Sequence, residues 1–138
     1  MTACTLPGAL TSAATARVFT RQVLADAGLP EFPDAELCAS ELAANAVSHT
    51  RSGLPGGTLT LRVTVTAGGV RIEVRDAGTV GNAAPAVPAQ RSPLDAEHGR
   101  GLWIVEALSA WCEFRPGLAW CELAAESGAP AVTGRAAA

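Results

Sequence analysis

Glu41 and Asn45 stand four residues apart in the run Glu41-Leu-Ala-Ala-Asn45-Ala-Val-Ser-His49-Thr50, and His49 follows at the same interval. On a helix this spacing sets a carboxylate, an amide and an imidazole in one line. Further along come an acid just ahead of a glycine, Asp76-Ala-Gly78, and a glycine pair in His98-Gly99-Arg100-Gly101-Leu102. Together they suit a nucleotide with its metal. A carboxylate can accept from the amino group of a base. An amide oxygen can join the shell of a Mg²⁺ that takes its other ligands from phosphates and water. Glycines at a helix start let backbone N–H groups approach phosphates. Glu41, one turn from Asn45, can orient a hydroxyl or water for attack. Each segment alone has a plainer explanation: a solvated stripe on a helix, an Asx turn at Asp76, a helix entry at the glycines, a surface arginine at Arg100. It is their order and spacing that carry the chemistry.

The elements that must position these groups follow from periodicity. Ser12 can cap a helix bearing Ala16, Phe19, Val23 and Ala27, stopped by Gly28 and Pro30. Asp34 can cap a second helix running to about Thr50. From Leu37 to Val47 that helix is apolar on nearly every side, which predicts burial. A polar line on a buried helix needs partners. The segment 51–57 reads as a loop. From Thr58 the period becomes two: Leu59, Leu61, Val63 and Val65 alternate with polar residues. A turn at Gly68-Gly69 leads to Val70, Ile72 and Val74 in the same alternation. That register aims Asp76 at the core face, where a carboxylate needs a donor. An adenine amino group is one such donor, and a local turn at Gly78 is the alternative. Residues 77–100 read as a long loop of the kind that forms lids. Gly101–Leu108 reads as a short helix, and 111–115 with 119–123 as a hairpin about Pro116-Gly117. The expected fold class is α+β, a two-layer sandwich of a mostly antiparallel sheet with three helices on one face. One domain is expected over residues 1–126, with a flexible tail at 127–138.

Composition narrows the function classes. The chain has 138 residues, 49% of them hydrophobic, enough for a real core. A net charge of −3 gives no support for nucleic-acid binding. All ten basic residues are arginine, which excludes chemistry that needs a catalytic or phosphate-binding lysine. No apolar run approaches the roughly 20 residues of a membrane span. The opening segment lacks the basic start and apolar stretch of a signal peptide, so a cytoplasmic location is expected. Cys4, Cys38, Cys112 and Cys121 show no zinc spacing and are read as small buried residues or spare thiols, with Cys112 and Cys121 able to face each other across the hairpin.

Taken in order, Glu41-x-x-x-Asn45 with Ala46 and His49-Thr50, Asp76-x-Gly78, and Gly99-x-Gly101-Leu102 resemble the three boxes of the GHKL (Bergerat-fold) ATPases. More narrowly, the chain resembles the small single-domain branch of anti-sigma-factor serine/threonine kinases. The likeness runs from about Ala16 to Leu123, including the hairpin with Trp111 and Trp120. The resemblance implies Glu41 as general base, Asn45 as the Mg²⁺ ligand, and Asp76 recognising adenine with Gly78 packed beside it. It implies that Gly99, Arg100, Gly101 and Leu102 hold the phosphates under a lid of residues 79–98. From the residues themselves, His49 and Thr50 are read as adding to the nucleotide contacts, with a structural role for His49 as the alternative, and His98 as helping to position the loop. It also implies a short N-terminal strand at Thr2–Leu6. The activity it implies is transfer of the ATP γ-phosphate to a serine of an antagonist protein, with a sigma factor bound in the alternative state and a homodimer as the assembly. Nothing in the chain resembles dimerisation helices with a phosphoaccepting histidine, which excludes histidine-kinase activity in cis. A module that holds ATP or ADP without catalysis is the alternative, and a free ATPase the third reading.

Overall fold

The alternation read from Thr58 onward becomes the centre of the sheet. A computed structural model describes residues 1–78 and 96–125, with 96–100 as backbone. In it β2 (Thr58–Thr66) and β3 (Gly69–Arg75) pair antiparallel, with Leu61 opposite Val74 and Val63 opposite Ile72. All four of these side chains are fully buried. The turn between the strands lies at Ala67–Gly68, one residue earlier than the glycine pair indicates, and Gly69 is already in the strand opposite Ala124. The N-terminal strand implied by the family resemblance is present as β1 (Thr2–Pro7), an edge strand whose closing proline suits a sheet margin. After helix α3, β4 (Trp111–Arg115) and β5 (Leu118–Ala124) form the closing hairpin. The order across the sheet is β1-β2-β3-β5-β4, every neighbour antiparallel.

Three helices cover one face: α1 (Ser12–Asp26), α2 (Pro33–His49) and α3 (Ala96–Leu108). The fold is the α+β two-layer sandwich that the pattern predicts. Helix α2 lies in the middle of its layer, between α1 and α3 and over β2, β3 and β5. Its small apolar residues Ala35, Cys38, Ala39, Ala43 and Ala46 are all buried and allow close packing against neighbours on several sides.

Several local expectations are corrected. In α1 the buried stripe is Ser12, Ala16, Thr20 and Leu24, and Ala27 is exposed. Phe19 and Val23 are only partly buried, because the core lies one residue round the helix from the most apolar line. Ser12 does not cap α1. Its hydroxyl donates to the carbonyl of Pro7 at 2.5 Å, tying the helix to the end of β1. Asp34 sits inside the first turn of α2, since Pro33 takes the first helical position, where its missing N–H costs nothing. Helix α3 begins at Ala96, so Gly99 and Gly101 lie within it instead of opening it. Two glycines each cost about 1 kcal/mol in a helix. Good helix formers at Ala96 and Glu97, and packing of α3 on α2, outweigh that cost. The rest of the expected lid, residues 79–95, and the tail at 127–138 lie outside the described residues.

The far face of the sheet is less solvated than its polar alternation implies. Glu73 and Glu122 are both buried there, each receiving a 2.9 Å hydrogen bond from Arg71, which also stacks 3.9 Å from the centre of the Trp120 ring. Cys112 and Cys121 are register partners and, like Cys4 and Cys38, free thiols. Contact with Cys38 and burial raise Cys121 well above the usual thiol range, and burial raises Cys112. Thiolate reactivity is therefore suppressed.

The segment after α2, read as a loop, is a packed pedestal. It opens with a 3₁₀ turn at Arg51–Gly53. A Cβ on Gly53 would stand 1.9 Å from the carbonyl oxygen of Val47, a backbone atom of α2 that cannot move aside. Gly53→Ala is therefore expected to destabilise the protein by about 3 kcal/mol and lower its melting temperature by roughly 10 °C. Denaturant unfolding monitored by circular dichroism checks this.

Candidate functional site

Helix α2 brings Asn45 and His49 to the rim of a cleft, and the residue after the helix, Thr50, lies beside them. Across the cleft stands Asp76, just past the end of β3. Leu102 of α3 closes one side. The β4–β5 hairpin closes the other with Phe114, Arg115, Pro116, Gly117 and Ala119.

Asn45 carries the most telling feature. Its Oδ1 is buried and has no hydrogen-bond partner among the described residues. A buried acceptor left unsatisfied costs about 1–3 kcal/mol, so a donor or cation from a ligand would remove a real penalty. No group of three His, Cys, Asp or Glu side chains among the described residues could hold a metal. A cation at Asn45 would take that single amide oxygen from the protein, and the remainder of its shell from ligand phosphates and water. That donor set fits Mg²⁺ bound with a nucleotide.

Asp76 forms the local turn read as its alternative role and also lines the cleft. Its Oδ1 accepts from the Gly78 N–H at 2.7 Å, closing an Asx turn. Its own N–H donates to the Gly117 carbonyl at 3.1 Å, which ties the strand end to the β4–β5 turn. Burial pushes its carboxyl above the usual range, and the Gly78 and Gly117 backbones pull it part of the way back. Gly78 lies behind Asp76 with φ +86°, its carbonyl accepting from the Arg51 N–H at 2.8 Å.

The remaining predicted residues divide. Thr50 is buried at the cleft wall, where its hydroxyl donates to the Ala46 carbonyl at 2.6 Å and accepts from the Ser52 N–H at 3.0 Å. Glu41 is half-buried, outside the cleft lining, and packs against α3. A Cβ on Gly101 would lie 2.6 Å from Glu41 Oε2. Gly101 therefore leaves space for the carboxylate, a role distinct from opening a helix. Only the first few N–H groups of a helix are free. With α3 starting at Ala96, those belong to the stretch reaching about Gly99, and Gly101 lies beyond them. Arg100 belongs to the same helix.

Sequence reasoning missed two parts of the site. One is the wall made by Phe114 to Ala119, because the pairing of β3 with β5 that brings Arg75 opposite Leu118 is nonlocal. The Pro116-Gly117 turn was recognisable, but its place beside Asp76 was not. The other is Ser52, fully buried, whose Oγ accepts from the Ala77 N–H at 3.0 Å. The histidine kinase-like ATPase domain profile matches residues 6–123 of the chain. No protein with a curated description matches it at a significant level.

Proposed function

The chain belongs to the histidine kinase-like ATPase domain family, and on that footing we propose that its cleft binds ATP with Mg²⁺ and that the protein transfers the γ-phosphate to a serine or threonine of an antagonist protein. The observation that carries the nucleotide reading is the orphaned Asn45 oxygen, on a residue that lines one cleft with Asp76. In this reading Asp76 accepts from the adenine amino group, and the β4–β5 turn walls the base. Asn45 supplies the protein's one oxygen to the metal, and the N-terminal part of α3 lies toward the phosphates. The metal, when bound, neutralises charge on the phosphates. Glu41, one helical turn from Asn45, takes the proton of the attacking hydroxyl. The new bond joins that oxygen to the γ-phosphorus, the bond to ADP breaks, and the proton leaves through the carboxylate.

The resemblance of the three boxes to anti-sigma-factor kinases supports an antagonist protein as acceptor, a sigma factor as the alternative partner, a homodimer, and a cytoplasmic role in transcription control. Among the described residues no helix is long and apolar enough to cross a membrane. The second reading, an ATP/ADP-binding module without transfer, draws on the seat of Glu41 against Gly101, outside the cleft lining.

Thermal unfolding with Mg²⁺ and ATP tests the nucleotide site. At 100 times its dissociation constant the nucleotide adds about 2.7 kcal/mol, a rise of roughly 5–15 °C. Asn45→Ala is expected to lose the magnesium-dependent part of that rise, measured as the difference between Mg²⁺ and EDTA. No shift at millimolar ATP overturns the reading.

A further inference from the structure

A chain of hydrogen bonds runs from the last turn of α2 to Asp76. The Thr50 hydroxyl donates to the Ala46 carbonyl and accepts from the Ser52 N–H. The Ser52 hydroxyl accepts from the Ala77 N–H at 3.0 Å. Arg51 N–H donates to the Gly78 carbonyl at 2.8 Å, and Gly78 N–H donates to Asp76 Oδ1 at 2.7 Å. The hydrogen-bond chain therefore begins one residue after Asn45 and ends on the Asp76 carboxylate, which belongs to a residue lining the same cleft. Ser52 has no solvent exposure, and its carbonyl is crowded by Gly8 and Gly57, where an added Cβ would lie 1.6 and 2.1 Å away. The Ser52 backbone is thus closely packed, and its hydroxyl is buried with it.

We propose that Ser52 is a positioning residue for base selection: its hydroxyl clamps the Ala77–Gly78 segment so that Asp76 presents a fixed acceptor to the exocyclic amino group of adenine. The inference rests on the nucleotide reading of the cleft. Adenine presents a donor at the position where guanine presents a carbonyl oxygen. A carboxylate held in one orientation accepts from the first and repels the second. With the Ala77 N–H released, the Ala77–Gly78 segment loses one of its two anchors, the other being Arg51 N–H to the Gly78 carbonyl, and the Gly78 N–H holds Oδ1 less firmly. The carboxylate then turns and admits water, which favours adenine less and opposes guanine less. A residue that only stabilised the fold would weaken both nucleotides alike.

The test measures dissociation constants of ATP and GTP with Mg²⁺ by calorimetry, for the wild type, Ser52→Ala and Ser52→Cys, beside each protein's melting temperature without nucleotide. Cysteine keeps the side chain's shape and offers only a weak acceptor. The expected result is a fall of about tenfold in the preference for ATP over GTP in Ser52→Ala, the scale of one buried hydrogen bond, with a smaller fall in Ser52→Cys. An unchanged ratio in either folded variant overturns the proposal, as does an equal loss for both nucleotides. Loss of cooperative unfolding in both variants makes Ser52 a folding residue and overturns it too. If the wild type binds neither nucleotide, the nucleotide reading itself fails, which the wild-type measurement alone reveals.

Discussion

Asp76→Asn is expected to weaken ATP binding by about 100-fold while making the nucleotide-free protein more stable at neutral pH. Both effects arise from the same carboxylate. Its Oδ1 accepts from the Gly78 N–H, and in the proposed reading the carboxylate also meets the ligand amino group. In the asparagine variant the amide oxygen takes over the bond to Gly78, and the amide NH₂ then faces the adenine NH₂, donor against donor. Losing a hydrogen bond to a charged acceptor costs about 1.5–3 kcal/mol, and about 1.4 kcal/mol is a factor of ten in affinity. Guanine, with an oxygen at that position, is penalised less, so the preference for ATP over GTP narrows. The stability gain follows from burial, which pushes the Asp76 carboxyl above its usual range. A carboxyl whose pKa is higher folded than unfolded contributes its full stability below the unfolded value, about 3.9. That contribution is lost as pH rises through the folded value. Asparagine does not titrate, so the variant's advantage is confined to pH above that window. Melting temperatures from pH 3 to 8 without nucleotide, beside ATP titrations at pH 7, check both halves. A variant that loses stability at pH 7, or binds ATP as the wild type does, contradicts the assignment.

How much of this was legible in the sequence depends on whether a feature is local. The hairpin of β2 and β3 follows from alternation alone, and its register places Asp76 on the core side at the strand end. The position of Asn45 within a buried helix follows from the apolar run around it. Where the reading slipped, a tertiary contact had overruled local propensity. Glycines argue against a helix at 99–101, yet α3 runs through them, because its packing on α2 outweighs their cost, and Gly101 lies close against Glu41 of that helix. Ser52 resembles any loop serine, and only the fold brings Ala77 to its hydroxyl. The hairpin wall of the cleft was recognised as a hairpin, but its neighbour in the sheet depends on β3 pairing with β5, which are separated by more than forty residues of chain. Arg71 illustrates the same limit on the far face. Its alternating position predicts solvent, but it joins two buried carboxylates on neighbouring strands.

Glu41→Gln separates the kinase reading from the binding-module reading, and the expected outcome is a fall of about 10²–10⁴ in phosphoryl transfer, the usual contribution of a general base. ATP binding should hardly change, because Glu41 packs under α3 and does not line the cleft that holds Asn45 and Asp76. Glutamine is the informative substitution. It keeps the length and the packing against Gly101, where alanine would leave a gap between the two helices and disturb α3 itself. What it removes is the ability to accept a proton. In the proposed reading the carboxylate, one helical turn from the proposed metal ligand, takes the proton that the attacking oxygen loses as it bonds to phosphorus. Transfer of labelled γ-phosphate from ATP to a serine-bearing antagonist protein measures the rate. Release of inorganic phosphate without that protein measures attack by water through the same base. If the wild type binds ATP and labels its acceptor, and Glu41→Gln binds equally well without labelling it, the carboxylate is catalytic. Equal rates in both proteins would remove Glu41 from the chemistry. A wild type that binds ATP yet neither labels the acceptor nor releases phosphate would leave the cleft as a nucleotide sensor, with Glu41 serving only to seat α3 on α2.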